Sequence, residues 1–231
     1  MKTISIGDIH GLTIWRCVDP DKYDKVIFMG DYVDSFDVEP AEQIENLVNI
    51  IKFKRKHGDK VVLLWGNHEQ QYLYTFSKYG CSGYQPHKYP ALHKLFNEYK
   101  DLFTPAFRVN NYLWTHAGVH RGWYNQHLLP WLEGVGIEKW EIDEQLKVAF
   151  DNEHPAIFQV GHLRGGFEDM GGIFWLDKRL GSKKPLEGYH QIVGHHRTKE
   201  IITYTLTEDT SITYIDVLED KGAFYELNID T

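Results

Sequence analysis

Three features of the chain predict an α/β fold. Apolar runs at Thr3–Ile6, Val26–Met29 and Val61–Trp65 have the length and composition of buried strands. Each passes directly into a glycine and a polar ligand-type residue: Gly7-Asp8, Gly30-Asp31 and Gly66-Asn67. A stretch of helical period separates the second run from the third, so residues 1–69 read as β, loop, β, helix, β.

Pro40 marks the helix start, Ile44, Leu47, Val48 and Ile51 share one face, and Gly58 closes the segment. Glu42 and Glu45 lie early and Lys52, Lys54, Arg55 and Lys56 late, which matches the helix dipole and gives the basic cluster a structural role. Residues 70–110, rich in Tyr, Phe, Lys and His and broken at Pro86, Pro90 and Pro105, predict short helices over a site. Two more strands follow: Tyr112–Thr115 leads into His116-Ala117-Gly118, and Gln191–Val193 into Gly194-His195-His196. Between them, 119–190 is an irregular insertion carrying Trp123, Trp131, Trp140 and Trp175, expected to act as a lid or substrate wall. Ser211–Asp216 and Ala223–Ile229 alternate and predict a hairpin around Asp220-Lys221-Gly222. With neither a repeat nor a linker, 1–231 is expected to be one domain with insertions at 70–110 and 119–190.

The 231 residues are 42% hydrophobic and 25% charged, an ordinary globular balance. A formal charge of −8 argues against general nucleic-acid binding, which needs clustered Lys and Arg. It leaves room for an anionic substrate at a local metal cluster. No apolar stretch approaches a membrane span and the first strand begins at once, so a soluble cytoplasmic protein is expected. Cys17 and Cys81 fit no metal or disulfide spacing and are expected to be inert thiols.

Polar residues just beyond the C-terminal ends of strands stand where open α/β sheets bind ligands. Asp8 and His10, two apart, project to the same side if strand geometry continues. Two divalent cations about 3.5–4 Å apart can lower the pKa of a shared water and clamp a phosphoryl group. Such a cage needs a bridging carboxylate, assigned to Asp31, with Asp8 and His10 completing one cation site and Asn67, His116 and His195 the other. Two carboxylates against two divalent ions leave a positive surplus that attracts phosphate. His68, beside a ligand, is the expected general acid, with Asp34 to orient its imidazole, while Glu69 is expected to cap the local backbone or support the site from behind, without a direct catalytic role.

Gly-Asp-x-His-Gly, Gly-Asp-x-x-Asp, Gly-Asn-His-Glu, His-Ala-Gly and the late Gly-His together resemble the calcineurin-like metallophosphoesterase superfamily, most closely its phosphoprotein phosphatase branch. The branch holds Ser/Thr phosphatases, their bacterial and phage relatives and symmetrical diadenosine tetraphosphatases. The resemblance, carried by residues 7–196, implies two mixed sheets in a sandwich flanked by helices, with the metal and acid roles given above. The branch usually continues its second motif with Asp-Arg-Gly; here Asp34 is followed by Ser35-Phe36, so an expected phosphate-binding arginine is missing. Arg164, in Gly161-His162-Leu163-Arg164-Gly165-Gly166, resembles a second family arginine and is expected to take phosphate oxygens, as is Arg197. The competing reading is a loop arginine paired with Glu168 or Asp169. His162 also follows a glycine, but His195 follows the cleaner strand; His196 is a supporting or solvent-facing residue.

The expected function is a metal-dependent phosphomonoesterase acting on a phosphorylated small molecule, nucleotide or phosphoprotein. Manganese is the first cation to try, with iron or zinc compatible with the same N/O ligands. The alternatives are a dinucleoside polyphosphate hydrolase or phosphodiesterase and, from another class, a metal- and phosphate-binding protein without turnover.

Overall fold

The computed structural model describes residues 1–73 and 80–230. Its first sheet begins with β1 (Lys2–Ile6), β2 (Lys25–Phe28), β3 (Val61–Leu64) and β4 (Phe103–Thr104), all parallel neighbours in that order. The second contains β5 (Ala106–Val109), β6 (Tyr112–Thr115), β7 (His190–Val193), β8 (Ile202–Thr207) and β9 (Thr210–Tyr214), in the order β5-β6-β7-β9-β8. β6, β7 and β9 run parallel, with antiparallel strands at both edges. β10 (Tyr225–Asn228) then returns to pair antiparallel with β1. The architecture is the expected α/β sandwich of two mixed sheets flanked by helices.

Alternation along the strands builds two apolar layers. Val26 and Phe28 of β2 join the cluster that includes Leu47, Ile50 and Ile51 of the helix α1 (Pro40–His57). Ile27, Met29, Val62 and Leu64 point the other way and meet Trp114 and Ile192 of the second sheet. The Trp114 indole N–H donates to Ser5 Oγ at 3.0 Å, so the sheets are keyed by a hydrogen bond as well as by burial. α1 begins at Pro40 and its cap is Gly58, as predicted.

The hairpin expected at the C-terminal end does not form. Both runs contain strands, but all five residues of β9 are buried, so it takes a central place between β7 and β8, whereas half-buried β10 crosses to the free edge of β1. The segment between them includes a helical turn at Leu218–Lys221. Residues 70–110 hold the short helix α2 (Asn67–Leu73), of which the last four residues lie in that range, and α3 (Tyr89–Tyr99), but also β4 and β5. The 119–190 insertion is built partly from helices at Leu129–Val135 and Ile142–Asp151. Among the described residues, no helix is long and apolar enough to cross a membrane.

Candidate functional site

The segments that follow β1, β2, β3, β6 and β7 meet in one polar centre at the seam of the two sheets. Asp31 stands in the middle. Its Oδ2 lies 3.8 Å from His10 Nε2, 3.9 Å from His68 Nε2 and 3.4 Å from His116 Nε2. It belongs to two potential cation-binding groups, His10–Asp31–His68 and Asp31–His116–His195. Asn67 Oδ1 approaches His116 Nε2 at 2.7 Å and His195 Nδ1 at 2.8 Å. Asp8 reaches in from β1, its carboxylate accepting the His195 backbone N–H at 3.0 Å.

Backbone contacts orient these side chains. His10 Nδ1 donates to the Val33 carbonyl at 2.7 Å and His116 Nδ1 to the Met29 carbonyl at 2.8 Å, so each ring presents Nε2 to the centre. Glu69 accepts the backbone N–H groups of Asp31, Tyr32 and Gly66 at 2.8–2.9 Å, supporting the Asp31 turn from beneath. His10, Asp31, Asp34 and His195 all have positive φ, at 39°, 49°, 70° and 63°. This region is unfavourable for residues with a side chain. Two glycines let the motifs close: a Cβ on Gly66 would stand 2.2 Å from Asp31 Oδ1, and one on Gly194 2.2 Å from Asp8 Oδ1.

The electrostatics call for positive charge. Burial, with Asp216 beside it, pushes the Asp8 carboxyl well above its usual range, and burial with Asp31 nearby pushes Asp216 up to about 7. Burial acts to raise Asp31 too, but His116, His68 and His10 outweigh it and hold this carboxyl well below the usual range. Burial, then His116 and Arg164, pull the His195 imidazole well down. For His116, burial is overcome by Asp31 and Asp8, which push it up to about 10. His195 Nε2 is buried without a hydrogen-bond partner. Carboxylate, amide and imidazole donors around one shared carboxylate fit divalent cations of the manganese, iron or zinc type.

His68 Nδ1 lies 3.1 Å from Asp34 Oδ2, while its Nε2 faces Asp31. Burial lowers the His68 imidazole, but Asp31 and Asp34 reverse this and raise it. The same Asp34 contacts Gln71, Tyr72 and Lys88. Nothing in the spacing or composition of 70–110 singles out those three residues.

Arg164 also lines the cavity. Its Nη2 donates to His196 Nε2 at 2.9 Å, and its Nε lies 3.6 Å from Asp177 Oδ2 rather than near Glu168 or Asp169. His196 Nε2 also accepts the Lys178 N–H at 2.8 Å, which makes His196 a support for Arg164. Arg197 reaches the cavity edge, but its Nε donates to Asp220 Oδ2 at 2.7 Å and Nη1 pairs with Glu219. His162 is exposed and stands apart from both cation-binding groups. Trp175 forms part of the wall, 5.9 Å from the His195 ring. Cys81 also borders the cavity: it is buried and accepts from Asn67 Nδ2 at 3.3 Å, a placement its isolation in the sequence does not suggest.

A family model for calcineurin-like phosphoesterases matches residues 1–200. A protein of Schizosaccharomyces pombe, provisionally described as a serine/threonine-protein phosphatase, is 37% identical over 71 residues, 29% of this chain and 22% of that protein. The chain thus spans about a fifth of the length of that curated relative. Among solved structures, the cold-active protein-tyrosine phosphatase of a psychrophilic Shewanella species superposes with a TM-score of 0.57 at 16% identity. The match covers 98% of this chain and 75% of that one. A further structure of a cold-active protein tyrosine phosphatase gives 0.57 at 17% identity, covering 98% and 73%. These similarities show the fold, and the family match extends over most of the sequence, including all the motifs. The chain belongs to the calcineurin-like phosphoesterase family.

Proposed function

We propose that the protein is a phosphomonoesterase working with two divalent cations, manganese first among those to test. The observation that carries this reading is the position of Asp31, common to one potential cation-binding group that follows strands of the first sheet and to a second that adds His116 and His195 from the other sheet. Asp8, His10 and Asp31 would hold one cation, and Asp31, Asn67, His116 and His195 the other. Cations held there supply a water of lowered pKa and charge stabilisation for the phosphoryl group.

The chain's own residues account for the rest of the chemistry. Arg164, braced by His196 and Asp177, presents its guanidinium to the phosphate oxygens. Arg197, already engaged by Glu219 and Asp220, contributes at the rim only if a substrate displaces those carboxylates. As a water oxygen bonds to phosphorus, the bond to the leaving oxygen breaks and its electron pair stays on that oxygen. His68 Nε2 transfers a proton to the same oxygen, and Asp34 holds the opposite edge of the ring through Nδ1. The substrate belongs to the phosphorylated small molecules, nucleotides or phosphoproteins, handled by one domain spanning 1–231 in the cytoplasm.

The test uses chelator-stripped protein reloaded with manganese, iron or zinc and offered p-nitrophenyl phosphate, a phosphopeptide and diadenosine tetraphosphate. Metal-dependent release of inorganic phosphate from the first two, with two metal equivalents bound, is the expected result. Preferential cleavage of the dinucleotide would replace the reading with a dinucleoside polyphosphate hydrolase. Verified metal with no turnover on any of the three would replace it with a binding protein.

A further inference from the structure

Lys88 has no place in the mechanism so far, yet its side chain is wholly buried (0% exposed) against the equally buried carboxylate of Asp34. It ends the helical turn Pro86–Lys88 just before α3. A desolvated ammonium is unfavourable unless it is paired and hydrogen-bonded. Here Nζ donates to Asp34 Oδ1 at 2.8 Å and to Gln43 Oε1 at 3.2 Å. Gln43 Oε1 in turn accepts the Asp34 backbone N–H at 2.8 Å, so lysine and glutamine grip both the side chain and the main chain of Asp34.

The two carboxylate oxygens are divided between different partners. Oδ1 accepts from Lys88 and the Tyr72 hydroxyl. Oδ2 accepts from the Gln71 amide and from His68 Nδ1 at 3.1 Å. Buried in this way, Lys88 cannot touch a substrate, so it can act only through Asp34.

We propose that Lys88 is a positioning residue for proton delivery to the leaving group. By holding Oδ1 of Asp34 it turns Oδ2 toward His68 Nδ1, which aims His68 Nε2 into the cavity. The inference rests on the reading of His68 as the acid. In the step concerned, the phosphorus–oxygen bond breaks with its electron pair on oxygen, the proton on His68 Nε2 moves to that oxygen, and water later restores the proton to His68.

Two substrates separate positioning from general structural damage. p-Nitrophenolate departs without a proton, whereas the phenolate of phenyl phosphate benefits from one. Lys88→Met should lower kcat for phenyl phosphate by about 30–100-fold and for p-nitrophenyl phosphate by less than about fivefold. KM and bound metal should be unchanged. In an Asp34→Asn background, adding Lys88→Met should leave the ratio between the substrates unchanged, because the two act as one unit. In metal-free protein, the downfield proton resonance of a His68 Nδ1–H bonded to carboxylate should be present in the wild type and lost in Lys88→Met. If Lys88→Met does not fold, the comparison of Asp34→Asn with the double variant, which removes both buried charges together, decides the matter. Equal losses on both substrates, or a further change of ratio in the double variant, would overturn the inference. His68→Asn is the control for the reading beneath it. If that variant shows no leaving-group dependence, the acid assignment falls and the inference with it. If His68→Asn shows the dependence and Lys88→Met does not, the inference alone falls.

Discussion

Replacing Gly66 by alanine perturbs the position of Asp31 without altering its charge. The new Cβ would stand 2.2 Å from Asp31 Oδ1, 2.4 Å from Asp31 N and 2.8 Å from Glu69 Oε2. Ordinary contact begins at 3.4 Å, so 2.2 Å leaves a deficit of 1.2 Å. Asp31 cannot yield alone, since its N–H is bonded to Glu69 at 2.9 Å and its Oδ1 accepts the His68 N–H at 3.0 Å. Overpacking of this kind costs about 1–3 kcal/mol, and a displacement of about 1 Å at a reacting centre costs about 100-fold in rate. The matched control is Gly134→Ala, at an exposed position of the helix Leu129–Val135 with nothing within 4 Å of the added methyl. That change should stabilise by about 0.4–1 kcal/mol. Urea unfolding of the stripped proteins, metal content after reloading and turnover of p-nitrophenyl phosphate form the assay. A Gly66→Ala protein with full metal content and turnover within about threefold of wild type would refute a central role for Asp31, given the rate loss expected from such a shift.

Asp31→Asn should weaken metal binding by more than about 100-fold at both positions, read as metal retained on dialysis; loss of only one equivalent would show that the carboxylate serves a single ion. Arg164→Lys keeps the charge but loses the planar fork, and should raise KM for a phosphate monoester about tenfold; an unchanged KM would remove Arg164 from the substrate site. His120 Nδ1 accepts the N–H groups of Gly122 and Trp123, and burial, with Lys184 and Arg121 nearby, pulls this imidazole from 6.5 down to about 4. Since the folded value lies below the unfolded one, its stabilising contribution is complete above pH 6.5 and is lost as pH falls through about 4, at up to about 1.4 kcal/mol per pH unit. His120→Asn keeps a capping acceptor and should flatten that slope in urea unfolding between about pH 7 and pH 4.5, a window set by the two states' proton uptake. An unaltered slope would place the acid sensitivity elsewhere.

What could be read from the sequence followed from the range of the forces involved. The motif-bearing turns were legible because a strand end and its glycine turn are encoded within a few residues, and the turns after β1, β2, β3, β6 and β7 do converge. α1 was equally local, bounded by Pro40 and Gly58. Strand partnership was not: β9 and β10 carry alternation a hairpin would also show, and only burial between β7 and β8 sends β9 inward. Lys88 was hidden for a related reason. A lysine in a polar, aromatic stretch gives no sign of burial until folding brings Asp34, 54 positions earlier, against it. The tryptophans divide likewise, Trp123 into the core, Trp140 to the surface and Trp175 to the cavity wall, by contacts that no local pattern records.

The left-handed backbone at His10, Asp31, Asp34 and His195 has a practical bearing on engineering. Each such residue holds about 1–2 kcal/mol of conformational penalty that glycine at the same position would release. On the proposed assignment of these residues to the reacting centre, a library ranked on heat resistance alone would reward variants that have lost it, trading activity for durability. Selections on this scaffold need a catalytic sieve ahead of the thermal one, or these positions locked from the outset.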